Sequence, residues 1–136
     1  MTLVLDTSVV LAATDRRDRH HRRCRDLLES AAEQLVLPAP TLCEIDYWMR
    51  ERVGVGAMVA ILRDVLAGGY VVEDLTDDDY DRAIEVMDRY EQIGFVDASV
   101  LAICERLEEP KLATLDRRHF GMVRPRHVEA LELLPG

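Results

Sequence analysis

Short apolar runs alternate along this chain with longer stretches in which apolar residues return every three or four positions. The runs are Leu3–Leu5, Leu35–Leu37, Tyr70–Val72 and Lys111–Leu115. A run of that length, apolar throughout and closed by a turn signal, predicts a strand buried on both faces. Between the runs the spacing is helical. Cys24, Leu27, Leu28, Ala31 and Ala32 define one face of a helix over His20–Ala32. Further helices are predicted over Val9–Ala13, Thr41–Val53, Ala57–Ala67, Asp77–Tyr90 and Asp97–Leu107. Local stops set their limits: Pro38 and Pro40 before Thr41, Gly54 and Gly56 after Val53, Gly68-Gly69 after Ala67, and Gly94 before Asp97. Asp15–Arg19 is predicted to be a loop, Met122–Arg124 a fifth strand ahead of Pro125, and Leu131–Leu134 a last short element.

Strands alternating with helices predict an α/β fold, with a mainly parallel sheet of four to five strands covered on both faces. Ligands of such sheets bind beyond the carboxyl ends of the strands, where strand order reverses. Asp6 and Asp116 each follow a predicted strand directly. That position makes them the first candidate functional residues.

Composition narrows the picture without changing it. A chain of 136 residues is one domain's worth, residues 1–136, and its 49% hydrophobic content builds a core without disulfides or a structural metal. Cys24, Cys43 and Cys104 are odd in number, widely spaced and free of any CxxC pair, which predicts reduced core thiols in a cytoplasmic protein. No apolar run approaches the ~20 residues that span a bilayer, and no basic segment precedes Leu3, so neither a membrane anchor nor a signal peptide is expected.

The net charge of −9 argues against a general nucleic-acid binder, yet the distribution of charge matters more than its sum. Cationic residues crowd into Arg16, Arg17, Arg19, His20, His21, Arg22, Arg23 and Arg25, and again into Arg117, Arg118, His119, Arg124, Arg126 and His127. Arg16, Arg17, Arg19, Arg117 and Arg118 are candidate contacts to RNA phosphates or to an acidic partner segment; a solvated helix face is the structural alternative. His20 and His21 are adjacent and so diverge on a helix, which marks them as surface residues rather than a ligand pair. His119 stands beside Asp116 as a candidate phosphate contact, and Tyr47 and Trp48 suit core or interface packing better than base stacking.

Four acids then claim attention: Asp6, Glu44, Asp97 and Asp116. Each has a structural account. Asp6, Asp97 and Asp116 stand where helix caps are common, and Thr41-Leu42-Cys43-Glu44 has the spacing of a capping box. Together they mean more, because an α/β fold wound this way brings strand ends and helix starts to one edge of the sheet. Clustered carboxylates repel one another and rise in pKa unless a cation neutralises them. A hard divalent ion does so, and the same ion activates water and stabilises charge on a phosphodiester.

Leu3-Val4-Leu5-Asp6-Thr7-Ser8, the helix start around Glu44, Gly94-Phe95-Val96-Asp97-Ala98-Ser99 and Ala113-Thr114-Leu115-Asp116-Arg117-Arg118-His119-Phe120 carry a resemblance. The chain resembles PIN-domain proteins, and more narrowly the VapC-type toxins of bacterial toxin–antitoxin pairs. The resemblance spans nearly the whole chain. It implies a three-layer α/β/α sandwich and a metal-dependent endoribonuclease using Mg²⁺ or Mn²⁺. It implies Asp6 and Asp97 as direct ligands, Glu44 and Asp116 completing the pocket through water, and Ser8 and Thr114 as supporting hydroxyls. It also implies a cognate antitoxin as partner and a homodimer. A housekeeping RNA-processing PIN nuclease and a non-catalytic PIN module are the alternatives within the family. An aspartyl-phosphate phosphatase would need a second acid where this chain has Ser8, and a receiver domain an acid pair that Met1–Leu5 lacks.

Overall fold

The computed structural model describes residues 1–136. Five strands and seven helices follow one another as β1 (Thr2–Leu5), α1 (Thr7–Thr14), α2 (His21–Ser30), β2 (Gln34–Pro38), α3 (Thr41–Arg52), α4 (Val55–Leu66), β3 (Val71–Glu73), α5 (Asp77–Arg89), α6 (Phe95–Arg106), β4 (Lys111–Ala113), α7 (Arg117–Met122) and β5 (Glu132–Leu134). The strands form one sheet in the order β3-β2-β1-β4-β5, and every pairing is parallel.

Side-chain alternation along β1 explains the three layers. Leu3 and Leu5 face one side, where α1, α2, α3 and α4 contribute Val9, Val10, Cys24, Ile45, Met49 and Ile61. Val4, between them, faces the other side and meets Val100, Ile103 and Cys104 of α6 and Phe120 of α7. Along β1 neither face reaches water, which is why Leu3–Leu5 reads as an unbroken apolar run rather than an alternating one. Helix α5 packs its Ala83 and Val86 against Ala98 and Leu101 of α6 as an outer extension of that second layer.

Two sequence-based expectations give way here. Met122–Arg124 is not a strand: Met122 ends α7, and the backbone of Arg124 donates to the Tyr90 hydroxyl. The place beside β4 belongs to β5, through the register Lys111↔Glu132, Leu112↔Leu133 and Ala113↔Leu134. Val123 is instead a buried plug against the α5–α6 pair. Cys43 is exposed on α3, while Cys24 and Cys104 are core thiols as expected. The predicted Asp15–Arg19 loop is present and is held by its own acids: Asp15 accepts from the Arg17 amide and Asp18 from the His20 amide.

Order reverses at β1. From it the chain proceeds outward through β2 and β3, then returns to lay β4 and β5 on the opposite side. In sheets of this kind the crevice for a ligand lies beyond the carboxyl ends of the strands at such a reversal, here those of β1 and β4.

Candidate active site

Asp6 leaves β1 at the head of this crevice, with its amide bonded across to the Ala113 carbonyl of β4 at 2.8 Å. It occupies the N-cap position of α1, yet its side chain caps nothing. Oδ2 accepts instead from the Thr114 hydroxyl at 2.7 Å and from the Ser8 hydroxyl at 3.0 Å. The same two hydroxyls accept in turn from the segment leaving β4: Thr114 Oγ1 from the Asp116 amide and Ser8 Oγ from the Leu115 amide. Ser8 and Thr114 thus tie the exits of β1 and β4 together and hold Asp6 in one rotamer. Burial pushes the Asp6 carboxyl up from its usual range, and these hydrogen bonds offset part of that rise.

Glu44 arrives from α3, and its expected capping box does not form. The helix starts at Thr41 with Pro40 in the capping position, and the Thr41 hydroxyl donates to the Pro38 carbonyl at 2.7 Å. Released from that role, Glu44 reaches across to α1, where Oε1 accepts from the Thr7 hydroxyl at 2.8 Å. Thr7 was not among the residues singled out from the sequence. Its place next to Asp6 on the first turn of α1 was the available signal.

Asp97 lies in the first turn of α6, which begins two residues before the predicted start because Gly94 takes the capping position. No side-chain or backbone donor serves its carboxylate. Burial raises its pKa to about 6, and the charges of Asp6 and Asp116 push the same way, with Glu44 adding less and His119 opposing. Asp116, after β4, does cap its helix: Oδ1 accepts from the His119 amide at 3.0 Å, and Oδ2 pairs with His119 Nδ1 at 2.7 Å.

All four predicted acids therefore meet around one crevice, but their commitments differ. Both Asp116 oxygens are engaged by His119, and Asp6 accepts from Thr114, Ser8 and the Thr7 backbone, whereas Glu44 keeps an oxygen free of protein donors and Asp97 keeps both. Mutually repelling, poorly solvated carboxylates with unused oxygens are a donor set suited to a hard divalent cation. His119 was expected as a phosphate contact beside Asp116. It belongs to the cluster, since one donor atom from each of Asp97, Asp116 and His119 lies within 4.8 Å of the other two.

The cationic residues are more dispersed. Arg16, Arg19 and Arg118 are exposed, while Arg17 donates to the Arg52 carbonyl and Arg117 to the Pro135 carbonyl at 2.7 Å. His21 Nδ1 meets the Ala12 carbonyl, and His20 lies among Arg19 and Arg23. Tyr47 and Trp48 are on the surface rather than in the core, packed edge to face with Arg52 over the indole. A separate cleft of about 470 Å³ opens beside α5 and α6, but its Arg82 and Arg106 are already paired with Glu85, Glu105, Glu73 and Asp79. No helix is long and apolar enough to cross a membrane.

Comparison with known proteins bears on the family and the fold. Residues 3–124 match the PIN domain family. Ribonuclease VapC26 of Mycobacterium tuberculosis is 31% identical over 125 residues, covering 90% of this chain and 93% of that protein. Among solved structures, the sarcin–ricin loop cleaving toxin VapC20 of Mycobacterium tuberculosis superposes with a TM-score of 0.81 at 23% identity, covering 93% of this chain and 98% of VapC20. A toxin–antitoxin complex from Klebsiella pneumoniae aligns with a TM-score of 0.67 at 18% identity, covering 89% of this chain and 92% of that one.

Proposed function

Because the chain belongs to the PIN domain family, we propose that it is a metal-dependent endoribonuclease, acting as the toxin of a toxin–antitoxin pair in the cytoplasm, with residues 1–136 as a single domain. The observation that carries this reading is the gathering of Asp6, Glu44, Asp97 and Asp116 in the crevice at the strand-order reversal, with Asp97 raised to about 6 and lacking any donor. A divalent ion, Mg²⁺ or Mn²⁺, supplies Lewis-acid charge for in-line displacement at a phosphodiester.

In this reading Asp6 and Asp97 hold the ion directly: Asp6 is the carboxylate fixed at the end of β1 by Thr114 and Ser8, and Asp97 offers two oxygens that no protein donor occupies. Glu44 and Asp116 act at one remove, through water. Glu44, steadied by Thr7 through Oε1, accepts the proton of the attacking water on Oε2. Ser8 and Thr114 position Asp6. Arg16, Arg17, Arg19, Arg117 and Arg118 contact RNA phosphates or an acidic antitoxin segment. Exposed apolar side chains along α3 and α4, including Tyr47, Val55, Val59 and Leu62, offer surface for an antitoxin or a second copy in a homodimer.

The test is controlled expression followed by sequencing of RNA cut ends, with the Asp6→Ala protein as comparison. Wild type is expected to arrest growth and create discrete new RNA ends, and Asp6→Ala to do neither. New ends without growth arrest would transfer the chain to a housekeeping nuclease role. Equal cutting by both proteins would refute the site.

A further inference from the structure

One side chain at the acidic crevice brings a ring nitrogen rather than an oxygen. Asp116 caps α7 and so brings His119 into the first turn of that helix, with Nδ1 2.7 Å from Asp116 Oδ2. The same nitrogen stands 3.8 Å from Oδ2 of Asp97, which projects from a different helix. Two atoms bound to one ion at about 2.0–2.2 Å lie about 3–4.4 Å apart. The separation of His119 Nδ1 from Asp97 Oδ2 falls inside that range, and the three donors of Asp97, Asp116 and His119 all lie within 4.8 Å of one another.

A helix-stapling Asp–His pair at i, i+3 is the plain alternative, and it accounts for the contact with Asp116. It does not by itself bring the ring to Asp97, which stands on a second helix and attracts the imidazole. Asp97 has no other polar partner, so the nitrogen donor of the cluster faces the one carboxylate with both oxygens unused. His119 Nε2 has no partner within the protein and is free to carry the ring proton.

We propose that His119 is a nitrogen ligand, beside Asp97, to the divalent cation of this crevice, and that it makes the site prefer Mn²⁺ to Mg²⁺. Resting on the metal-dependent reading above, this inference adds selectivity to it. Imidazole nitrogen suits first-row transition ions, whose affinities for nitrogen donors exceed that of Mg²⁺, an ion that keeps to oxygen and to its own waters. Coordination through Nδ1 places the ring proton on Nε2. It also releases Asp116 Oδ2 to accept from water, in keeping with an indirect role for that acid.

The experiment uses untagged protein loaded with Mn²⁺ and pulsed electron paramagnetic resonance to detect a directly bonded nitrogen. Calorimetric titrations with Mn²⁺ and with Mg²⁺ accompany it, on wild type, His119→Ala and Asp97→Asn, each checked for folding by circular dichroism. Wild type is expected to show nitrogen coupling, and His119→Ala to lose it. The ratio of Mn²⁺ to Mg²⁺ affinity should fall about tenfold in His119→Ala, chiefly through Mn²⁺. Asp97→Asn should weaken both ions. Mn²⁺ bound by wild type without nitrogen coupling, or an unchanged affinity ratio in folded His119→Ala, overturns the histidine ligand while leaving the metal-dependent reading intact. Failure of wild type to bind either ion overturns both.

Discussion

Asp97 holds a half-buried carboxylate among three others without a hydrogen bond to compensate. A rise from 3.8 to about 6 corresponds to about 3 kcal/mol between its protonation states. The folded protein binds this proton more tightly than the unfolded chain. The stability contributed by protonated Asp97 is therefore fully present below pH 3.8 and is lost as pH rises through about 6. Asp97→Asn should raise the melting temperature of the metal-free protein at pH 7.5 by several degrees, equivalent to about 1–3 kcal/mol, and change it little at pH 4. Thermal melts at the two pH values check this; equal effects at both would mean that the carboxylate is not strained by charge. The four acids themselves were legible as residue types at strand ends and helix starts. Their partners were not. Thr41-x-x-Glu44 satisfies the capping-box pattern, yet Pro40 occupies the cap and Glu44 bonds to Thr7, 37 positions away, a long-range contact that local spacing does not encode.

Among the elements, α5 carries a complete capping box at its start. Thr76 accepts from the Asp79 amide and Asp79 accepts from the Thr76 amide, a reciprocal box that Asp77 and Asp78 reinforce at the positive end of the helix dipole. Asp79 also anchors Arg106 at 2.9 Å, so the box is joined to the end of α6. No candidate site residue lies on α5. Thr76→Ala should cost about 1 kcal/mol in urea unfolding while leaving RNA cleavage at its wild-type rate. A matching loss of activity would show that α5 is coupled to the crevice. The central strands β1, β2 and β4 were legible because burial on both faces makes their inner stretches apolar. The edge strand β3 was legible because Tyr70–Val72 is a short β-branched and aromatic run preceded by Gly68-Gly69. Met122–Arg124 was misread because a short apolar segment before proline does not say whether it pairs with a strand or plugs a core, and here β5 already holds the edge.

For the whole molecule, a net charge of −9 coexists with a crevice proposed to receive a polyanion. The acidic pocket calls for a cation, and the exposed arginines near α2 and α7 offer the local positive field that the total conceals. Replacing Arg16, Arg17 and Arg19 together with Gln should weaken RNA binding and lower the salt slope of the affinity by up to ~2–3, in proportion to the phosphates lost. An unchanged slope would return these residues to ordinary solvated surface. The measurement that bears most directly on the central claim is cleavage of RNA by purified protein after chelation and stepwise return of Mg²⁺ or Mn²⁺, with folded Asp97→Asn beside wild type. Wild-type activity is expected to vanish on chelation and return with the ion, and Asp97→Asn to be slower by 10²-fold or more, on the order of 3 kcal/mol of transition-state stabilisation. Cleavage that survives chelation, or that proceeds equally well in Asp97→Asn, would contradict the account.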